Sequence, residues 1–190
     1  MRGREKFEKY YKIILILYYM VNYLPKAIRK KILVWFRNTT GNKGLVLRYV
    51  LLKSLAKSMG KNVSVHPSVF LFHVENLTIG NNVSLHPMCY IDAAGEIFIG
   101  NDVSIANGCT IMSSTHNYED LNIPIKDQKE TLKKVIIYDN VWIGARATIL
   151  AGINIKSGAI VGANSVVTKE TNENEIVAGC PAKVIKNRQG

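Results

Sequence analysis

From residue 62 onward, apolar side chains recur at every sixth position. Ile137, Ile143, Ile149, Ile155, Val161 and Val167 form an unbroken series, and a small or apolar residue follows four places after each of the first five, at Val141, Ala147, Ile153, Ala159 and Ser165. The same spacing runs earlier through Ile79, Leu85, Ile91 and Ile97, slips by two residues, and resumes at Ile99, Ile105 and Ile111. The slip itself recurs, because Asn62-Val-Ser-Val-His-Pro67, Asn82-Val-Ser-Leu-His-Pro87 and Asp102-Val-Ser-Ile-Ala-Asn107 stand 20 residues apart. Amphipathic helices repeat every 3.6 residues and half-buried strands every 2, so a period of six belongs to neither and marks a solenoid. Six extended residues at about 3.3 Å each make a flat side of roughly 20 Å. Three such sides close a coil of about 18 residues whose inward side chains stack on those of the next coil. Gly80, Gly100, Gly144 and Gly162 each follow an inward aliphatic residue, as expected at corners that are cramped or need an unusual φ. The pattern predicts an all-β domain, a parallel β-helix of about five coils over 62–190.

Residues 1–61 lack this period and read as helices over 4–21, 26–37 and 43–59, separated by Pro25, by Thr39-Thr40-Gly41 and by Gly60. In the third, Leu45, Arg48, Leu52, Leu55 and Met59 recur at three- and four-residue steps, with Arg48, Lys53 and Lys57 as candidates for the wetter side. The chain therefore divides into a helical segment, 1–61, and a repeat domain, 62–190.

Charge sharpens that division. The 190 residues hold 25 Lys and Arg against 14 Asp and Glu, a formal +11 that suggests nucleic acid or an anionic membrane surface. Yet 15 of the basic residues and only two acids, Glu5 and Glu8, lie in 1–61, and the repeat domain is slightly acidic. Nucleic acid is excluded as a partner, since the basic residues alternate with Ile, Leu and Val. The apolar run from Ile13 to Val21 falls short of the roughly 20 residues of a spanning helix, and Lys9, Lys12 and Lys26 bracket it. Two readings of the segment stay open: peripheral contact with anionic lipid through residues 1–37, or a helical cap that covers the next domain or helps it oligomerise. Three cysteines make no disulfide framework and no secretory cleavage pattern follows an early apolar stretch, so a cytoplasmic setting is expected, at the inner face of the membrane if the segment binds lipid.

The clock breaks once. The step from Ile111 to Ile137 is 26 residues, and the insertion, about 117–136, is polar and rich in Lys, Asp and Glu. Long excursions from a regular scaffold carry function disproportionately. At its root stands Ser113-Ser-Thr-His116. Histidine is the side chain whose basicity suits proton removal near neutral pH. His66 and His86 occupy equivalent places one coil apart, each before Pro, which predicts stacking at a turn. His73 matches no partner in spacing, and three histidines do not form a zinc ligand set here, so no metal is expected. Cys89 and Cys109 hold inward small-residue positions and Cys180 lies in a Gly-Cys-Pro turn; none has a base at suitable spacing for a nucleophile.

Val141-Trp-Ile-Gly-Ala-Arg-Ala-Thr-Ile-Leu-Ala-Gly-Ile-Asn-Ile155, Val161-Gly-Ala-Asn-Ser-Val-Val-Thr-Lys169 and Ile176-Val-Ala-Gly-Cys-Pro-Ala-Lys-Val-Ile-Lys186 resemble the hexapeptide-repeat acyltransferases. Within that family the chain is similar to the maltose, galactoside and serine acetyltransferase branch, and most to O-acetyltransferases of capsular and exopolysaccharide clusters. The resemblance implies a left-handed coil, a homotrimer, and acetyl-CoA in a cleft between neighbouring subunits. It implies His116 as catalytic base, with His86 and Asp92 near the acceptor and Trp142 beside the acyl group. For the donor it implies Ala145 and Ala163 along the pantetheine path, Thr168 and Lys169 on the same wall, and Lys183 and Lys186 at the nucleotide phosphates, Lys183 standing where an Arg is frequent. The implied reaction is transfer of acetyl from acetyl-CoA to a sugar hydroxyl of a cell-surface polysaccharide or its precursor. An N-acetyltransferase of a nucleotide-linked amino sugar would use the same parts. A non-catalytic β-helical scaffold docking at a membrane is the alternative of another class.

Overall fold

The computed structural model describes residues 3–189; residues 1, 2 and 190, the outer ends of the two expected segments, lie outside them. Three helices come first, α1 (Gly3–Asn22), α2 (Lys26–Trp35) and α3 (Gly41–Leu55). A three-sided coil then repeats. Its first side holds Ser58–Met59, Leu77–Ile79, Ile97–Ile99, Val135–Ile137 and Asn154–Ile155. The second holds Ser64–Val65, Ser84–Leu85, Ser104–Ile105, Trp142–Ile143 and Ile160–Val161, and the third Phe70–Phe72, Tyr90–Asp92, Thr110–Met112, Thr148–Ile149 and Val166–Val167. Neighbouring strands within each side are parallel. Five coils are complete, as the period predicts. A sixth begins at Glu175–Gly179 on the second side, and Ala182–Asn187 then turns back against it, antiparallel, to close that end.

Register explains the period. On the first side Ile79, Ile99, Ile137 and Ile155 pair in sequence; on the second, Leu85, Ile105, Ile143 and Val161; on the third, Ile91, Ile111, Ile149 and Val167. All are buried, so the clock is three vertical columns of aliphatic side chains. Each such residue contributes about 1.5–3 kcal/mol on leaving water.

Of the two reasons for a corner glycine, close approach is the operative one. A Cβ on Gly144 would lie 2.6 Å from the Ala163 nitrogen and 2.7 Å from the Val161 oxygen of the coil above. Positive φ falls at other positions, among them Asn62, Asn82, Asp102, Asn140 and Asn174, residue types that tolerate the left-handed region. Their side chains also knit coils together: Asn62 Nδ2 donates to Asn82 Oδ1 at 3.1 Å, and Asn82 Nδ2 to Asp102 Oδ1 at 2.9 Å.

The open end of the first coil is covered by α3, which buries Tyr49, Val50, Leu51, Leu52 and Leu55 and packs on Ser58–Met59 and Ser64–Val65. Two expectations for this helix change here. Met59 leaves the helix to start the first aliphatic column, pairing with Ile79. Arg48 is buried, not on the wet side: Nε donates to Val65 O at 2.8 Å and Nη1 to Thr39 O at 2.7 Å and Phe36 O at 3.1 Å. The guanidinium thus satisfies carbonyls where α2 ends and the first coil begins, a use of its fixed fork that helical spacing does not reveal.

Substituting Gly144→Ala is expected to lower stability by about 3 kcal/mol, because its neighbours are backbone atoms of a hydrogen-bonded coil that cannot yield. The urea unfolding midpoint measures it, and a loss under about 0.5 kcal/mol would show that the corner has slack.

Candidate active site

The insertion between the third and fourth coils is an antiparallel hairpin, Ser114–His116 against Glu130–Leu132, so regular structure enters it three residues earlier than the polar run suggests. Its tip carries a single turn at Ile125–Asp127 and is held internally, Gln128 Nε2 donating to Asp120 O at 2.8 Å and Ile123 O at 2.9 Å. The root is fixed more firmly. Ser113 is fully buried; its Oγ donates to Asp92 O at 2.8 Å and accepts from Gly95 N at 2.8 Å, while its carbonyl accepts from Lys133 N at 2.8 Å. Three residues on, His116 stands half-exposed with Nε2 3.4 Å from Glu130 Oε1. Between two open side chains that separation gives weak attraction only, so the imidazole is oriented without being committed.

The column below the hairpin contains a pair that spacing did not disclose. Asp92 Oδ1 accepts from Ala94 N at 3.2 Å and lies 2.7 Å from His73 Nδ1. His73 therefore has a partner, though none at the repeat spacing. The two are 19 residues apart, one short of the repeat, because His73 sits on a corner in the left-handed region. Glu130 was likewise missed, since only the hairpin register sets it opposite His116.

The corner between the second and third sides holds a different group. The rings of His66 and His86 stack with centroids 4.8 Å apart and planes 8° from parallel, as their spacing predicts. Higher on the same corner stand Ala145 and Ala163, joined by Asn164 N donating to Ala145 O at 2.8 Å. Beside them Gly144 and Gly162 keep the wall low. Trp142 faces outward on the second side, more than half exposed. Lys183 and Lys186 lie on the closing strand, opposite Ala178 and Ile176, exposed and with no acidic partner among the described residues. A strip of small residues ending in uncompensated cations fits a thin pantetheine chain with phosphates at one end.

The candidate residues thus fall on two edges of the prism. Asp92 ends the third side, and His116, Thr168 and Lys169 follow it; His86, Ala145 and Ala163 precede its start, so Thr168 and Lys169 stand on the edge opposite the wall of Ala145 and Ala163 and do not share it as the resemblance implies. One side, roughly 20 Å, separates the edges. Among the described residues no cluster of three or more His, Cys, Asp or Glu could hold a metal ion. Cys89 and Cys109 are buried, their thiols donating to Ala106 O and Gly144 O at 3.1 Å, and Cys180 is exposed.

Residues 134–169 match the family model described as the hexapeptide repeat of succinyl-transferase. Among solved structures, the chain is similar to a maltose O-acetyltransferase from Clostridium difficile 630, with 31% identity, 85% of each chain covered and a TM-score of 0.76. The chain belongs to the hexapeptide-repeat acyltransferases. Another acyltransferase of this fold, a galactoside acetyltransferase in complex with coenzyme A, is 27% identical over 85% of this chain and 80% of its own, with a TM-score of 0.74. WbbJ of Escherichia coli, provisionally named an O-acetyl transferase of lipopolysaccharide biosynthesis, is 45% identical over 65 residues, which are 34% of this chain and 33% of WbbJ. The chain spans between 22% and 33% of the length of the curated relatives it matches.

The stacked imidazoles make stability depend on pH. Burial, then His86 and Arg48, lower the pKa of His66 below its ordinary value of 6.5. The unfolded chain therefore takes up the proton first as pH falls below that value, and this contribution, complete at neutral pH, is lost toward the lower folded-state pKa. The urea midpoint is expected to fall from pH 7.5 to 5.5, and to fall less in His66→Gln. Equal falls in the two proteins would place the pH dependence elsewhere.

Proposed function

We propose that this chain is an acetyl-CoA-dependent O-acetyltransferase acting on a sugar hydroxyl of a cell-surface polysaccharide or its precursor, working as a homotrimer in the cytoplasm. The observation that carries the reading is His116, half-exposed on a hairpin whose root is locked by Ser113 at the one break in the repeat. A sugar hydroxyl has a pKa far above 7 and must lose its proton as it attacks. A positioned imidazole contributes about 10²–10⁴ in rate to that step. In the proposed reaction His116 removes the hydroxyl proton as the oxygen bonds to the acetyl carbonyl carbon, and returns it to sulfur as the carbon–sulfur bond breaks. The products are the acetyl ester and free thiol. The unengaged oxygen of Asp92 and the outer face of His86 would orient the acceptor, and Trp142 would pack beside the acetyl group.

For the donor, the low corner wall at Ala145 and Ala163 supports a pantetheine path. Thr168 and Lys169, on the base edge, would meet that path from the neighbouring copy, and Lys183 and Lys186 supply positive charge for the phosphates. Lysine is a point charge without a bidentate fork, so the phosphates would be attracted more than gripped. Because base and donor wall lie on different edges, the complete site needs the base edge of one copy against the wall edge of its neighbour. A trimer closes three such contacts with one interface. The coenzyme A complex and the maltose and lipopolysaccharide names among the relatives favour this donor and an oxygen acceptor.

His116→Ala should lose at least about 100-fold in acetyl-CoA-dependent thiol release with a panel of sugar acceptors, with its mass by light scattering unchanged and equal to three chains. Activity within about twofold of the parent protein would remove His116 from the role of base.

A further inference from the structure

The helical segment contains more than a cap requires. Closure of the coil stack is the work of α3. Helices α1 and α2 are laid on α3 and bury little: Ile14 on α1, Arg29 and Leu33 on α2. Arg29 is spent internally, Nη1 donating to Asn22 Oδ1 at 2.7 Å and Ser54 O at 2.6 Å, which ties the α1–α2 turn to α3. Away from α3, α1 turns out Ile13, Ile16, Tyr19 and Met20, and the turn after it leaves Tyr23 90% exposed. Helix α2 turns out Ile28, Val34 and Trp35, the last 84% exposed. Exposed lysines run among them at positions 9, 12, 26 and 31, while Lys30 is paired with Glu75 at 3.1 Å. Among the described residues no helix is long and apolar enough to cross a membrane.

We infer that the outward faces of α1 and α2 dock on an anionic lipid surface, lying in its plane. Three observations favour lipid over a protein. The surface joins apolar side chains to cations, the combination that binds an interface by hydrocarbon burial and by attraction to acidic headgroups. Its two most exposed members, Tyr23 and Trp35, are the ring types that settle at the boundary between headgroup and hydrocarbon. A second copy of this face would meet it with like charge, since the segment 1–61 holds 15 basic residues against two acids. Docking would bring the acetyl-transfer site to acceptors carried on lipid, but the surface itself does not depend on the acetyl-transfer reading.

The test uses the full chain and sedimentation with vesicles of phosphatidylcholine alone or with about 30% phosphatidylserine. Binding to the anionic vesicles is expected to exceed that to neutral ones by about tenfold or more and to weaken as salt rises. The triple variant Ile16→Ser, Tyr19→Ser, Trp35→Ser changes exposed side chains only. It should lose about tenfold in vesicle binding with melting temperature, light-scattering mass and thiol release on a soluble sugar unchanged. Unaltered vesicle binding by the variant, or no preference for anionic vesicles, would overturn the proposal. So would a fall in mass, which would assign this face to a second copy. If thiol release is absent in the parent protein while vesicle binding behaves as stated, the acetyl-transfer reading fails and the docking surface stands.

Discussion

Every other feature of this molecule depends on one constraint: side chains six residues apart must point into a narrow prism and rest on their counterparts one coil away. The aliphatic columns at Ile79, Leu85 and Ile91 and their successors supply the apolar contact, and parallel backbone hydrogen bonds set the distance between coils. Close stacking leaves no room at certain corners, which is why a Cβ on Gly144 would lie 2.6 Å from backbone. It also turns corner side chains of successive coils into ladders, apolar inside and asparagine outside. A scaffold built this way is rigid and regular, and regularity offers no chemistry of its own.

Chemistry and attachment arise where the repeat stops. At its first end a helix covers the exposed columns, and Arg48 satisfies carbonyls that neither helix nor coil can pair. At its other end Glu175–Gly179 and Ala182–Asn187 close the second side and carry Lys183 and Lys186. In the middle the hairpin leaves between the third and fourth coils without disturbing either, since Ile111 still pairs with Ile149 across the gap. The proposed base is thus carried by a protrusion whose foot is as fixed as the core.

The solenoid was legible in the sequence because its signal is summed over many coils, so a single substitution such as Cys89 or Ser165 does not hide it. The helices were legible as elements but not in their packing. Polarity placed Arg48 outside, and no local pattern announces that backbone carbonyls from two elements will converge on it. The candidate site was partly legible. His116 stood out because the clock broke beside it, and His66 and His86 because they kept time. His73 and Glu130 did not, the first because a corner shortens its separation from Asp92 by one residue, the second because hairpin register is absent from a six-residue pattern. The separation of the candidates onto two edges follows only from knowing which side each strand joins.

That separation carries the central claim, that base and donor wall meet only between copies. Mixed trimers test it most directly. His116→Ala chains and Ala163→Trp chains, each inactive alone, would be unfolded together and refolded as one population, and thiol release from acetyl-CoA measured with an accepted sugar. The account predicts that activity returns, because a mixed interface can join an intact base edge to an intact wall edge. If both variants are inactive, mixed trimers form and no activity returns, base and wall serve within a single chain and the account is wrong.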